Sequence, residues 1–208
     1  MLLIRSIIYF FLAVILASTV VLGLWLDVCW LQDKLGEVSV TEILQESILA
    51  VIVFIHFKLV KDSAHMRECH LLIGGFFLAM LIRELDGLFD LISHASWVWF
   101  ALSTSVAIIA YTARNYRQAL DDLARYPLMP YYGMMISGLL CILVFSRLFG
   151  MHLLWETVLR EQYVRVVKNM VEEGAESFGY VLCLTSSIGY YFYQRKAEHN
   201  SYNERPTE

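Results

Sequence analysis

Arg83, Glu84, Asp86, Asp90 and His94 crowd the stretch IRELDGLFDLISH (Ile82–His94), which follows directly on the uncharged run LLIGGFFLAML (Leu71–Leu81). Side chains of these types can hold a metal ion, exchange protons, or neutralise one another. Asp90 and His94, spaced i and i+4, can point at one ion on a helix face; so can Glu42 with Glu46, and Glu173 with Glu176. Carboxylate oxygens with one or two imidazoles suit zinc, manganese or iron, whereas an all-oxygen set suits magnesium or calcium. No HExxH occurs, and the paired Glu-x-x-His pattern of four-helix di-iron proteins is missing. Crowded carboxylates also share protons, so the proton is a second candidate cation.

The elements that carry these residues follow from composition. The chain has 208 residues, 58% hydrophobic and only 17% charged, with a mean hydropathy of +0.56. A soluble domain carries about 25% charge. Apolar runs near the roughly 20 residues needed to cross a bilayer recur along the sequence. The fold class is therefore an all-α polytopic membrane bundle of about six transmembrane helices, forming one domain over 1–195. The expected spans are Leu3–Leu26, Glu42–Val60, Cys69–Ile92, Ala95–Ala113, Tyr131–Gly150 and Glu173–Tyr193. The first has only Arg5 before a long apolar stretch, Ile7–Leu26, and is read as an anchor rather than a cleaved leader. Met151–Val171 mixes Met151, Leu154, Trp155, Val158 and Leu159 with Arg160, Glu161, Arg165 and Lys168, the pattern of an interfacial amphipathic helix. The tail 196–208 reads as disordered and cytoplasmic, and Arg114–Pro127 as a solvated connector.

Basic residues set the orientation. With the N-terminus inside, Arg5, Lys58, Lys61, Arg67, Arg114, Arg117, Arg125, Arg195, Lys196 and Arg205 are cytoplasmic. Lys34, Arg83, Arg147, Arg160, Arg165 and Lys168 fall outside. Both termini are thus expected in the cytoplasm, across a bacterial inner (plasma) membrane. The charged end of the third span then shares a level with the acidic starts of the second and sixth, TEILQES (Thr41–Ser47) and VEEGAESFGY (Val171–Tyr180). Helical periodicity puts Arg83, Asp86, Asp90 and His94 on one stripe, and Glu172, Glu173, Glu176, Tyr180 and Ser187 on another. Depth matters, because an unpaired charge at a helix centre costs about 2.5–3.5 kcal/mol.

The sequence thus proposes a cation site, for metal or proton, made of Glu46, Glu84, Asp86, Asp90, His94, Glu173 and Glu176 and serving sensing or transport. Arg83 and Arg147 would supply structural ion pairs, Arg83 with Glu46 or Glu176. One alternative is an intramembrane hydrolase using a divalent cation (zinc, manganese, iron, magnesium or calcium) against a lipid headgroup; another is an ion-pair network with no ligand. The partner is the lipid bilayer; a net charge of −4 gives no footprint for nucleic acid. Cys29, Cys69, Cys141 and Cys183 form no CxxC, and no nucleophile motif accompanies Ser47, Ser93 or Ser177. His56, His65 and His70 gather near the inner ends of two spans, where a pair could hold a b-type haem. That is the weaker reading, since interfacial histidines are common.

Overall fold

The computed structural model describes residues 2–31, 39–62, 66–160 and 164–203; Lys34, His65 and Glu161 lie outside the described residues. Among the described residues every regular element is helical and none is a strand. Helix α1 (Leu2–Trp25) passes into a π-helical turn, Leu26–Trp30. There follow α2 (Val40–Asp62), α3 (Arg67–Glu84), the short α4 (Asp86–Asp90), α5 (Trp97–Thr112) and α6 (Tyr116–Arg125). Helix α7 (Tyr132–Leu140) continues through a π segment, Cys141–Phe145, into α8 (Ser146–Phe149). The chain ends with α9 (His152–Leu159) and α10 (Arg165–Asn203).

Three stretches are long and apolar enough to cross a membrane: Phe10–Trp30, Val40–Asp62 and Tyr132–Phe149. They correspond to the first, second and fifth expected spans. The six-span count is not carried by the remaining helices, and each departure has a physical reason. The third span stops at Glu84, because Leu85 leaves helical geometry (φ −81°, ψ 22°) before α4 begins. The fourth, α5, has 16 residues, about 24 Å at 1.5 Å per residue against a hydrocarbon core of about 30 Å. The sixth is the middle of the 39-residue α10, whose early turns carry Lys168, Glu172, Glu173 and Glu176. Residues 151–171 are not one interfacial helix either: α9 ends at Leu159, Arg160 takes a positive φ of 52°, and Arg165–Val171 opens α10. Helix α10 runs through Asn203, into the stretch from Lys196 that composition reads as a tail.

The helices form two compact units. The first comprises residues 1–48 and 136–183. In it the π turn at the end of α1 carries Asp27, which is fully buried. Its carboxylate accepts the backbone N–H of Val40 at 2.7 Å and of Thr41 at 2.8 Å, and the Thr41 hydroxyl at 2.6 Å. Ser39 Oγ accepts the Glu42 N–H at 3.1 Å. The unpaired donors at the start of α2 are thereby satisfied, and a negative charge faces the positive end of the helix dipole. Asp27→Ala should therefore cost about 2 kcal/mol in a detergent unfolding experiment. An unchanged midpoint would show the cap to be idle. In the same unit α7 and α10 touch through glycine: a Cβ at Gly138 would lie 2.7 Å from the Gly179 carbonyl oxygen. Small residues permit this backbone approach.

The second unit comprises residues 49–135 and 184–208. Its core includes Leu49, Ile52, Ile55, Leu59, Met66, Phe77, Met135, Leu184 and Tyr190. Helix α6, within the expected solvated connector, is exposed along most of its length and rests one narrow face on this core. Ala119, Asp122 and Tyr126, at helical spacing, are buried, while Leu120 and Leu123 face outward.

Candidate functional site

The residues singled out by spacing divide between the two units. Glu46, Glu173, Glu176 and Arg147 belong to the first; Arg83, Glu84, Asp86, Asp90 and His94 belong to the second.

In the first unit, α10 presents three carboxylates within five positions. Arg147 donates to Glu172 at 3.0 Å and also to Glu176, whose side chain is only 3% exposed. Lys168 reaches Glu172 at 2.6 Å. The Tyr180 hydroxyl donates to Glu176 at 3.4 Å. Gln45 Nε2, from buried α2 surface, donates to the Glu173 carboxylate at 2.9 Å and to Ser177 Oγ at 2.8 Å. Sequence reasoning overlooked Gln45, Lys168 and the capping role of Asp27. Gln45 was legible in principle, since it sits between Glu42 and Glu46 on the acidic turn of α2. Glu46 itself is half-buried.

In the second unit the opening cluster resolves into local pairs. Arg83 donates to Glu84 at 3.0 Å, and Asp86 is half-buried at the start of α4. His94 lies 3.2 Å from Asp90 with its side chain 95% exposed. Asp90 also accepts the N–H of Ala95 at 2.8 Å, where the chain turns through a positive φ of 58°. Asp90 thus braces a surface turn, with His94 open to the surroundings.

A second polar station lies among apolar helices of the same unit. His56 of α2 and His70 of α3 are 1% and 0% exposed, and their Nδ1 atoms are 3.3 Å apart. His56 Nε2 is 3.2 Å from Ser187 Oγ on α10. Phe77 stacks on His56 with ring centroids 6.4 Å apart, and Tyr190 meets His70 edge-on at 5.0 Å. Local sequence creates the pocket: Gly74, one turn beyond His70 on α3, leaves room where a Cβ would sit 3.2 Å from His56 Cβ. The signal available beforehand was the lone histidine in the apolar run VIVFIHFKLV (Val51–Val60).

A neutral imidazole has one donor and one acceptor nitrogen. A hydrogen bond between two Nδ1 atoms therefore needs a proton on one of them and a lone pair on the other. Either His56 Nδ1 donates to His70 and His56 Nε2 accepts from Ser187, or His70 donates and His56 Nε2–H donates to Ser187. Passing from the first state to the second moves a proton from His56 Nδ1 to His70 Nδ1 and one from Ser187 Oγ to His56 Nε2, so a proton must also enter at Ser187 and another leave from His70 Nε2.

Among the described residues, no three His, Cys, Asp or Glu side chains are grouped so as to hold a metal ion. Comparison with protein-family models, curated proteins and solved structures finds no match to this chain.

Proposed function

We propose that this protein is an integral membrane protein that binds and relays protons, for sensing or transport. The observation carrying this reading is the buried line Ser187–His56–His70, which has two complementary hydrogen-bonding states. An imidazole can accept a proton at one ring nitrogen while the other releases one. The carboxylates Glu173 and Glu176 of the first unit provide a second proton-accepting group, held by Gln45, Arg147 and Tyr180. Two imidazoles meet here, and among the described residues no third His, Cys, Asp or Glu joins them as a metal ligand, which favours the proton as the cation.

In this reading α3, α5 and the middle of α10 also lie within the bilayer, with both termini cytoplasmic. Reporter fusions at Lys61 and Lys34 should then report opposite sides, with Lys61 inside; the same side for both would overturn the topology.

The function is tested with purified protein in liposomes loaded with a pH-sensitive dye. An imposed pH difference should dissipate faster with wild-type protein than in empty vesicles. His56→Phe, which keeps a ring against Phe77, should remove at least nine-tenths of that difference, while His94→Ala leaves it intact. Equal rates for wild type and His56→Phe would refute the relay.

A further inference from the structure

Helices α3, α5 and α6 of the second unit bring together a group of oxygens that the proton relay does not use. Glu68, in the first turn of α3, is 3% exposed, and Asp122 of α6 is 2% exposed. Asp122 Oδ2 accepts the Glu68 N–H at 3.2 Å, so the two residues are neighbours. Asn115 Nδ2 donates to Glu68 Oε1 at 3.3 Å, and Gln118 Nε2 donates to Asp122 Oδ1 at 2.9 Å. These neutral amides orient both carboxylates. No lysine, arginine or histidine forms an ion pair with either carboxylate among the described residues. Arg67, next in the chain, is exposed and directs its guanidinium to the Tyr111 hydroxyl at 3.5 Å.

Two buried oxygens on α3 and α5 have no hydrogen-bond partner among the described residues: Glu68 Oε2 and Thr112 Oγ1. Thr112, 3% exposed, ends α5 between Tyr111 and Asn115, which bond to Arg67 and Glu68 respectively. A carboxylate oxygen taken out of water without a partner is strongly disfavoured. Protonating Glu68 at Oε2 would not remove the difficulty, since the new O–H would itself need an acceptor. The N-terminal end of α3 favours negative charge there, but it leaves Oε2 unbonded.

We infer that Glu68 and Asp122, with the Thr112 hydroxyl, bind a hard divalent cation, calcium or magnesium, at the junction of α3, α5 and α6. Two carboxylates match its charge. A donor set of carboxylate and hydroxyl oxygens suits these ions, not softer metals that prefer imidazole or thiolate. A group of two acids with neutral oxygens is also consistent with there being no cluster of three acidic, histidine or cysteine ligands. Bound there, the ion would fasten α6 to the first turn of α3.

The test uses the full chain in detergent, stripped with a chelator and then titrated with calcium, magnesium, zinc or, at matched ionic strength, potassium. Calcium or magnesium should raise the unfolding midpoint by several degrees in a saturable way, and titration calorimetry should show one site. Glu68→Gln and Asp122→Asn should lose the response. Thr112→Val, a milder change that keeps the fold testable if the acidic variants fail to accumulate, should weaken the apparent affinity about threefold to tenfold. A wild-type midpoint unmoved by millimolar calcium and magnesium would overturn the site. So would a Glu68→Gln or Thr112→Val response equal to that of wild type. Proton flux in vesicles is a separate readout, so failure of this site is distinguishable from failure of the relay.

Discussion

Arg147→Ala is expected to destabilise the protein by about 3 kcal/mol, because it strips the cationic partner from a carboxylate that water barely reaches. Glu176 has 3% of its side chain exposed, whereas Arg147 is 42% exposed. That exposure places the cost at the lower end of the range for breaking a buried pair, since solvent screens part of the attraction. The Tyr180 hydroxyl would remain to Glu176, but one neutral donor does not replace a guanidinium. Unfolding in detergent measures the loss. Combining Arg147→Ala with Glu176→Gln should recover more than half of it, because the buried charge is then gone. A neutral single variant would show that the bridge merely decorates the surface.

Filling Gly138 should do comparable damage. A Cβ there would lie 2.6 Å from Cys183 Sγ and 2.7 Å from the Gly179 carbonyl oxygen, and the second of these contacts is rigid backbone. Gly138→Ala should cost about 3 kcal/mol, at the upper end of ordinary overpacking. Gly138→Leu should leave little folded protein to purify. The control is Gly133→Ala, since no atom lies within 4 Å of a Cβ at that position. It should be neutral, or stabilising by up to about 1 kcal/mol through helix propensity. If both alanine variants behave alike, α7 and α10 do not depend on that close approach.

Hydropathy located three of the six expected spans, the first, second and fifth, because each is a long uninterrupted apolar run in a single helix or helix continued by a π segment. It placed the C-terminal end of the third span poorly: Leu85 breaks the helix with no proline or glycine in the two turns before it, and only Gly87 follows nearby. Helix α6 looked solvated because RNYRQALDDLARYP is rich in charge; its buried stripe consists of Ala119, Asp122 and Tyr126, only one of them strongly apolar. The acidic positions on α10 were legible as a stripe. Gln45 was legible as a polar residue on the acidic turn of α2, but its pairing with Glu173 and that of Lys168 with Glu172 were not, since a partner four positions away in the chain and one more than a hundred away look equally plausible in sequence. Asp27 escaped notice because a π turn aims it inward, and no residue pattern marks that turn. The histidines were noticed for their types, but their mutual approach is a property of how α2 and α3 pack.

The central claim is that one proton is shared between His56 and His70. Nitrogen-15 NMR of the ring nitrogens, in protein labelled at histidine and embedded in lipid, tests it most directly. The account predicts a scalar coupling across the hydrogen bond joining the two Nδ1 atoms, with one Nδ1 protonated and the other not, and its loss in His56→Phe. Two imidazoles carrying their protons on Nε2 alone, with no coupling between the Nδ1 atoms, would contradict it.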